Sequence, residues 1–200
     1  MVSFLCLLCA AYILGSIPSG ILVSKLWAGT DIRRQGSGNI GATNVYRNLG
    51  LGAAGLVFAA DVVKGGLAVS GASYFLAGEW APLLAGLACV LGHMYSLFLG
   101  FKGGKGVATG FGVFLIISPL AAAVSLVIWL LFLFTLQWVS VASMIAALGL
   151  PIIIYFTNAG PEFWLAVVVA FFIVLNHRQN ISRLLRGVEP KIGAEMKFRG

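Results

Sequence analysis

Acidic side chains are the scarcest chemistry in this chain. Asp and Glu together number 6 against 13 Lys and Arg, and only 10% of the 200 residues are charged. Soluble domains carry about a quarter, so an ordinary soluble globular domain is excluded. Histidine occurs only as His93 and His177. Neither begins a His-x-x-x-x-Asp or His-Glu-x-x-His arrangement, because Phe98 and Ser182 stand five residues on. Metal-dependent phosphotransfer needs clustered acids, and no metal ligand set can be assigned. Cysteine is sparse and odd in number, at Cys6, Cys9 and Cys89, all inside apolar runs without a neighbouring basic group. These read as buried structural thiols, not as a redox pair. No basic segment precedes the apolar run that starts at Val2, so a cleavable signal peptide is not expected. The apolar runs also lack the short alternating pattern of a transmembrane barrel.

Hydrocarbon is what the chain has in abundance. Hydrophobic residues make up 60% and mean hydropathy is +1.01, the composition of an integral membrane protein. Apolar runs fall near 3–25, 52–77, 81–99, 138–157 and 161–177, with a longer run at 107–135. The net charge of +7 sits in 26–50 (Arg33, Arg34, Arg47), in 100–106 (Lys102, Lys105) and after 177. The connectors at 78–80 and 157–161 contain no Lys or Arg. If 107–135 crosses once, the basic tail faces the opposite side from both basic loops, against the positive-inside rule. Splitting it at Ser118-Pro119 gives seven transmembrane helices, with the N-terminus outside and the C-terminus cytoplasmic. Proline supplies a local cause for the split. The chain thus reads as an all-α polytopic membrane protein, one domain over 1–200. Its basic loops record topology and anionic headgroups, so nucleic acid is not expected as a partner.

Polar chemistry concentrates in two glycine-rich loops. The first, Gly36-Ser37-Gly38-Asn39-Ile40-Gly41-Ala42-Thr43-Asn44-Val45-Tyr46-Arg47, offers backbone N–H groups, hydroxyls, carboxamides and a guanidinium to an anion. It matches G-x-G-x-x-G, but no βαβ unit surrounds it, so a dinucleotide fold is not implied. The second, Gly100-Phe101-Lys102-Gly103-Gly104-Lys105-Gly106, is followed by Thr109. It is not a Walker A loop, since Leu99 replaces the first glycine and Gly106 the magnesium-binding hydroxyl. Asp61 and Lys64 lie three apart within a span, either as a structural ion pair or as a means of turning Lys64 towards phosphate. His93 reads first as a hydrogen-bonded packing residue and second as a ligand contact, and Ser140 and Ser143 equally as helix-packing hydroxyls or site residues. His177, Asn180 and Arg183 recur at helical spacing where the last span ends.

Together these segments resemble the PlsY family of bacterial membrane acyltransferases. Three motifs carry the resemblance: Gly36 to Asn44 with Arg47; Gly92-His93-Met94-Tyr95 leading into Gly100 to Thr109; and His177-Arg178-Gln179-Asn180 to Gly187 with Glu189. Asp61 to Gly65 and Val139 to Ser143 are also similar to family segments. The resemblance implies transfer of an acyl group from acyl-phosphate to the sn-1 hydroxyl of glycerol-3-phosphate, on the cytoplasmic face of a bacterial inner membrane, without a cofactor. Membrane lipid surrounds such an enzyme, and the enzyme that makes acyl-phosphate is an implied partner. Ser37, Arg47, Lys105, Ser143, His177 and Asn180 are then the expected catalytic residues. Gly38, Asn39, Thr43, Asn44, Lys64, His93, Lys102, Gly103, Gly104, Gly106, Thr109 and Ser140 are the expected substrate-binding residues. Two rival readings are an organic-anion transporter, suggested by the Gly15 to Gly20 interruption of span one, and another lipid-headgroup enzyme. Polar groups gathered at one face, not at the midplane, disfavour the transporter. The missing acid cluster disfavours metal-dependent headgroup chemistry.

Overall fold

The computed structural model describes residues 2–157 and 160–193, and all its regular elements there are helical. Helices α1 (Val2–Ser16) and α2 (Ser19–Ala28) form one apolar run broken at Pro18, whose ring removes an N–H and disfavours helix before it. Helix α3 (Ala42–Phe75) is interrupted at Gly50, with φ 83° and ψ −178°, a conformation open essentially to glycine alone. Residues 42–49, expected as loop, are therefore a short helix joined through a kink at Gly50 to the span beginning at 51, with Val45 buried in one cluster with Ala53, Ala54 and Val57. Then follow α4 (Trp80–Met94), α5 (Val107–Ile117), α6 (Pro119–Leu136), α7 (Val139–Thr157), α8 (Glu162–Asn176) and α9 (Arg178–Leu185). The break expected at Ser118-Pro119 separates α5 from α6, with proline at the first position of α6.

Five segments are long and apolar enough to cross a bilayer: Ser3–Ala28, Ala42–Phe75, Trp80–Leu99, Pro119–Leu136 and Val139–Thr157. Counting α8 and α9, bent by 53° at His177, as one span makes six. Helix α5 has 11 residues. At 1.5 Å per residue it rises only about 16 Å, against a hydrocarbon core of about 30 Å.

Small residues let the helices approach closely. Gly65 of α3 meets the Thr109 backbone of α5, and Gly112 of α5 meets the Val62 backbone of α3, so a methyl group at either position would overlap main chain. Without a hydrophobic force between helices in lipid, such close backbone contact supplies the dispersion attraction. The main core joins α3 to α8 through Val69, Val90, Val113, Phe114, Ile154 and Val169, all 1% exposed or less. Cys89 is buried as expected, whereas Cys6 and Cys9 are exposed, because α1 packs on α4 and leaves the rest of its surface uncovered.

Candidate active site

A cavity of about 610 Å³ lies between α3, α5, α6, α7, α8 and the C-terminal segment. Its lining is of two kinds. Ser37, Arg47, Lys105, Ser140, His177 and Asn180 gather at one end. From Ser143, whose Oγ accepts a hydrogen bond from Trp129 Nε1 at 3.1 Å, the walls turn apolar. Leu126 and Ala122 follow down α6, with Ser125 and its buried Oγ, unpartnered among the described residues, between them. Ala147 and Leu150 follow down α7, and Phe58, Phe111 and Phe114 also line the cavity.

Asn44 organises the first glycine loop. Its Nδ2 donates to the carbonyls of Ile32, Gln35 and Asn39, and its Oδ1 accepts from the Ser37 N–H at 3.0 Å. One buried carboxamide thus stands within hydrogen-bond reach of four backbone groups, its two N–H protons shared among three carbonyls. The loop it shapes turns exposed Ser37 to the cavity mouth. The second loop is held by main chain: Gly103 N–H donates to Met94 O at 2.9 Å and Gly104 N–H to His93 O at 3.0 Å. Lys105 then reaches across to Asn180, donating to its Oδ1 at 2.6 Å.

His177 marks the bend between α8 and α9, and its Nδ1 lies 2.8 Å from Ile173 O. A carbonyl can only accept, so Nδ1 carries the proton and the neutral ring leaves Nε2 as an acceptor. Helix α9 sets Asn180 and Arg183 on one face. Past it, Gly187 reverses the chain with φ 71°, and residues 188–193 return over the site. Glu189 becomes a hub: its Oε1 accepts from Ser140 Oγ at 2.7 Å and Asn180 Nδ2 at 2.6 Å, and its Oε2 from Arg183 Nε at 2.7 Å. Arg47 Nη2 donates to Pro190 O at 2.9 Å, Trp138 Nε1 to Glu189 O at 3.1 Å, and Ile192 N–H to Gln137 O at 2.7 Å.

These contacts set the charges. Burial works to raise the Glu189 carboxyl, but hydrogen bonds from Ser140, Asn180 and Arg183 outweigh it and hold the group below its ordinary value. Burial pushes the Lys105 ammonium down to about 8; Glu189 opposes the fall, and Arg183 and Arg47 add to it. An anion arriving beside Lys105, Arg47 and Arg183 would relieve that mutual repulsion.

Residues 5–187 match the sequence family described as glycerol-3-phosphate acyltransferase. The chain belongs to that family. It is similar to the glycerol-3-phosphate acyltransferase of Synechococcus sp. (strain CC9902), 45% identical with 98% of this chain and 99% of the relative covered. It is 40% identical to that of Bacillus subtilis (strain 168), covering 93% and 96%. Two crystal structures of PlsY, an integral membrane glycerol 3-phosphate acyltransferase, superpose on it. The glycerol 3-phosphate form has a TM-score of 0.88 at 43% identity, and the lysophosphatidic acid form 0.86 at 42%. Both cover 96% of each chain.

Within this acyltransferase fold, the residues expected at the site separate into two groups. Ser37, Asn39, Thr43, Asn44, Arg47, His93, Lys105, Gly106, Ser140, Ser143, His177 and Asn180 line the cavity. Gly38, Lys64, Lys102, Gly103, Gly104 and Thr109 do not. Gly38 is an exposed turn residue with φ 71°, and Lys102 is exposed. Gly103 and Gly104 pack on His93, Thr109 is buried where α5 meets α3, and Lys64 is engaged by Asp61. Glu189, Tyr46 and Trp129 also line the cavity without being among the expected site residues, and Arg183 lines it beside His177 and Asn180, with which its helical spacing had aligned it. For Glu189 a signal existed: it is one of only 6 acids and follows a glycine just beyond the His177 motif.

Proposed function

We propose that this chain transfers an acyl group from acyl-phosphate to the sn-1 hydroxyl of glycerol-3-phosphate, giving 1-acyl-glycerol-3-phosphate and phosphate. The observation that carries the reading is one cavity lined both by the cations Arg47, Lys105 and Arg183 and by a run of apolar side chains of α6 and α7. Acyl-phosphate is an apolar chain ending in an anion, and glycerol-3-phosphate supplies a second anion. Arg47 and Lys105 hold the two phosphates at the polar end. The apolar lining of α6 and α7 takes the acyl chain, where each buried methylene contributes about 0.8 kcal/mol.

The glycerol hydroxyl oxygen attacks the acyl carbonyl carbon, and the carbon–oxygen bond to phosphate breaks with its electron pair leaving on phosphate. The hydroxyl proton passes to His177 Nε2 or to a substrate phosphate, the two acceptors in this reading. Acyl-phosphate is already activated, so positioning and charge stabilisation supply most of the rate. Ser37 and Asn180 orient the substrates through hydrogen bonds. Ser143 Oγ already donates to Val139 O at 2.7 Å, so its role is to accept or to set the cavity wall.

The same reading gives seven crossings, with α5 and α6 forming a hairpin, the N-terminus outside and the site on the cytoplasmic face of a bacterial inner membrane. The enzyme that makes acyl-phosphate is its supplying partner. The purified protein in detergent should form 1-acyl-glycerol-3-phosphate from acyl-phosphate and not from acyl-CoA, with product measured by mass spectrometry. Transfer from acyl-CoA alone would overturn the donor.

A further inference from the structure

Lys64 is a buried lysine with no donor to offer a ligand. Its Nζ lies 2.7 Å from Asp61 Oδ1, 3.1 Å from Ile17 O and 2.9 Å from His93 Nδ1. An ammonium has three protons, and with the His93 proton on Nε2 these are three acceptors; the same Nδ1 lies 3.5 Å from Asp61 Oδ1. Asp61 also accepts from Ser19 Oγ at 2.9 Å. The cluster thus ties α3 to the break between α1 and α2, and pins one edge of the His93 ring. The opposite edge of that ring faces the second glycine loop. A methyl group on Gly104 would overlap His93 Nε2, and one on Gly103 would overlap the His93 carbonyl. The same carbonyl accepts the Gly104 N–H at 3.0 Å. His93 therefore registers the loop twice, through its ring and through its main chain, one residue before Lys105.

We propose that the Asp61–Lys64–His93 cluster is a positioning device for Lys105, acting through Gly104. A cluster that only stabilised the bundle would not need its imidazole seated against the loop. Glycine at 104 is the residue that allows this seat, and Lys105 is delivered to Asn180 at 2.6 Å as a result. The inference rests on the acyl-transfer reading only for what Lys105 binds, so its test needs no substrate.

The test is the pH profile of Lys105 acylation by a small amine-reactive ester, quantified by mass spectrometry on the full-length protein in detergent. Exposed Lys25 serves as the internal control. The charged groups around Lys105 are Arg47 of α3, Arg183 of α9 and Glu189 of the returning segment, with His177 at the end of α8. The variants His93→Gln and Gly104→Ala leave all of them in place. In both variants the labelling midpoint should rise by about one pH unit, a tenfold change in neutral fraction, as Lys105 leaves its buried seat. The Lys25 profile should not move. Gly104→Ala removes no ionisable or hydrogen-bonding side chain, so it decides the matter if His93→Gln does not fold. An unchanged Lys105 midpoint in folded Gly104→Ala overturns the proposal. Loss of glycerol-3-phosphate turnover in the wild type would instead overturn the functional reading and leave this result standing.

Discussion

Two ionic clusters flank the glycine loop 100–106, and they are built to opposite ends. In the Asp61–Lys64–His93 cluster the ammonium lies within 3.1 Å of a carboxylate, a carbonyl and an imidazole nitrogen, and all three side chains are at most 6% exposed. In the Lys105–Asn180–Glu189–Arg183 network, Lys105 has one acceptor among the described residues, and Arg47 keeps a buried Nε without a partner. Both clusters hold lysine and a carboxylate. The difference is unengaged donor capacity: burying a donor without an acceptor costs free energy, and an arriving phosphate recovers it. Charge alone does not mark a binding site, whereas charge with protons left over does.

That contrast can be broken by experiment. The closed cluster should answer to stability. Asp61→Ala leaves the Lys64 charge buried without its partner and should lower stability by about 3–5 kcal/mol, read as reduced thermal unfolding temperature in detergent. A variant that unfolds like the wild type would show that the cluster is hydrated and open. The open network should answer to pH. With its value near 8, Lys105 is charged at neutral pH and loses its proton as pH rises. Glycerol-3-phosphate gains its second charge near about pH 6. Affinity, followed by calorimetry, should therefore rise through about 6, fall through about 8, and drop about tenfold per unit beyond. Lys105→Arg should remove the alkaline limb, and a flat wild-type profile would remove Lys105 from phosphate binding. The smallest effect belongs to a third pair outside both clusters. Arg33 and Asp31 lie 2.6 Å apart at the surface, with Arg33 49% exposed. Asp31→Asn should change stability by less than about 1 kcal/mol and leave turnover unaltered.

What could be read from the residues follows from the range of the forces involved. The proline break between α5 and α6 was legible because its steric cause is local to Ser118 and Pro119. The alignment of His177, Asn180 and Arg183 was legible because helical periodicity projects i and i+3 together. The Asp61–Lys64 pair was legible for the same reason. By contrast, the helix over 42–49 was hidden in a glycine- and asparagine-rich stretch of low intrinsic helix propensity. It forms because Asn44 gathers the loop carbonyls beneath it. Glu189 follows no period after Asn180, and only the reversal at Gly187 brings it back to the network.

By itself the sequence determined that this chain is a helical membrane protein with two glycine-rich polar loops, because hydropathy, proline sterics and charge placement act over a few residues. Tertiary structure alone decided which cations stay available. His93 is 29 residues from Lys64 and 11 from Gly104, and Glu189 is 49 from Ser140. Whether a lysine has an unengaged proton depends on which distant acceptors the packed helices bring within 3 Å, and no local pattern encodes that.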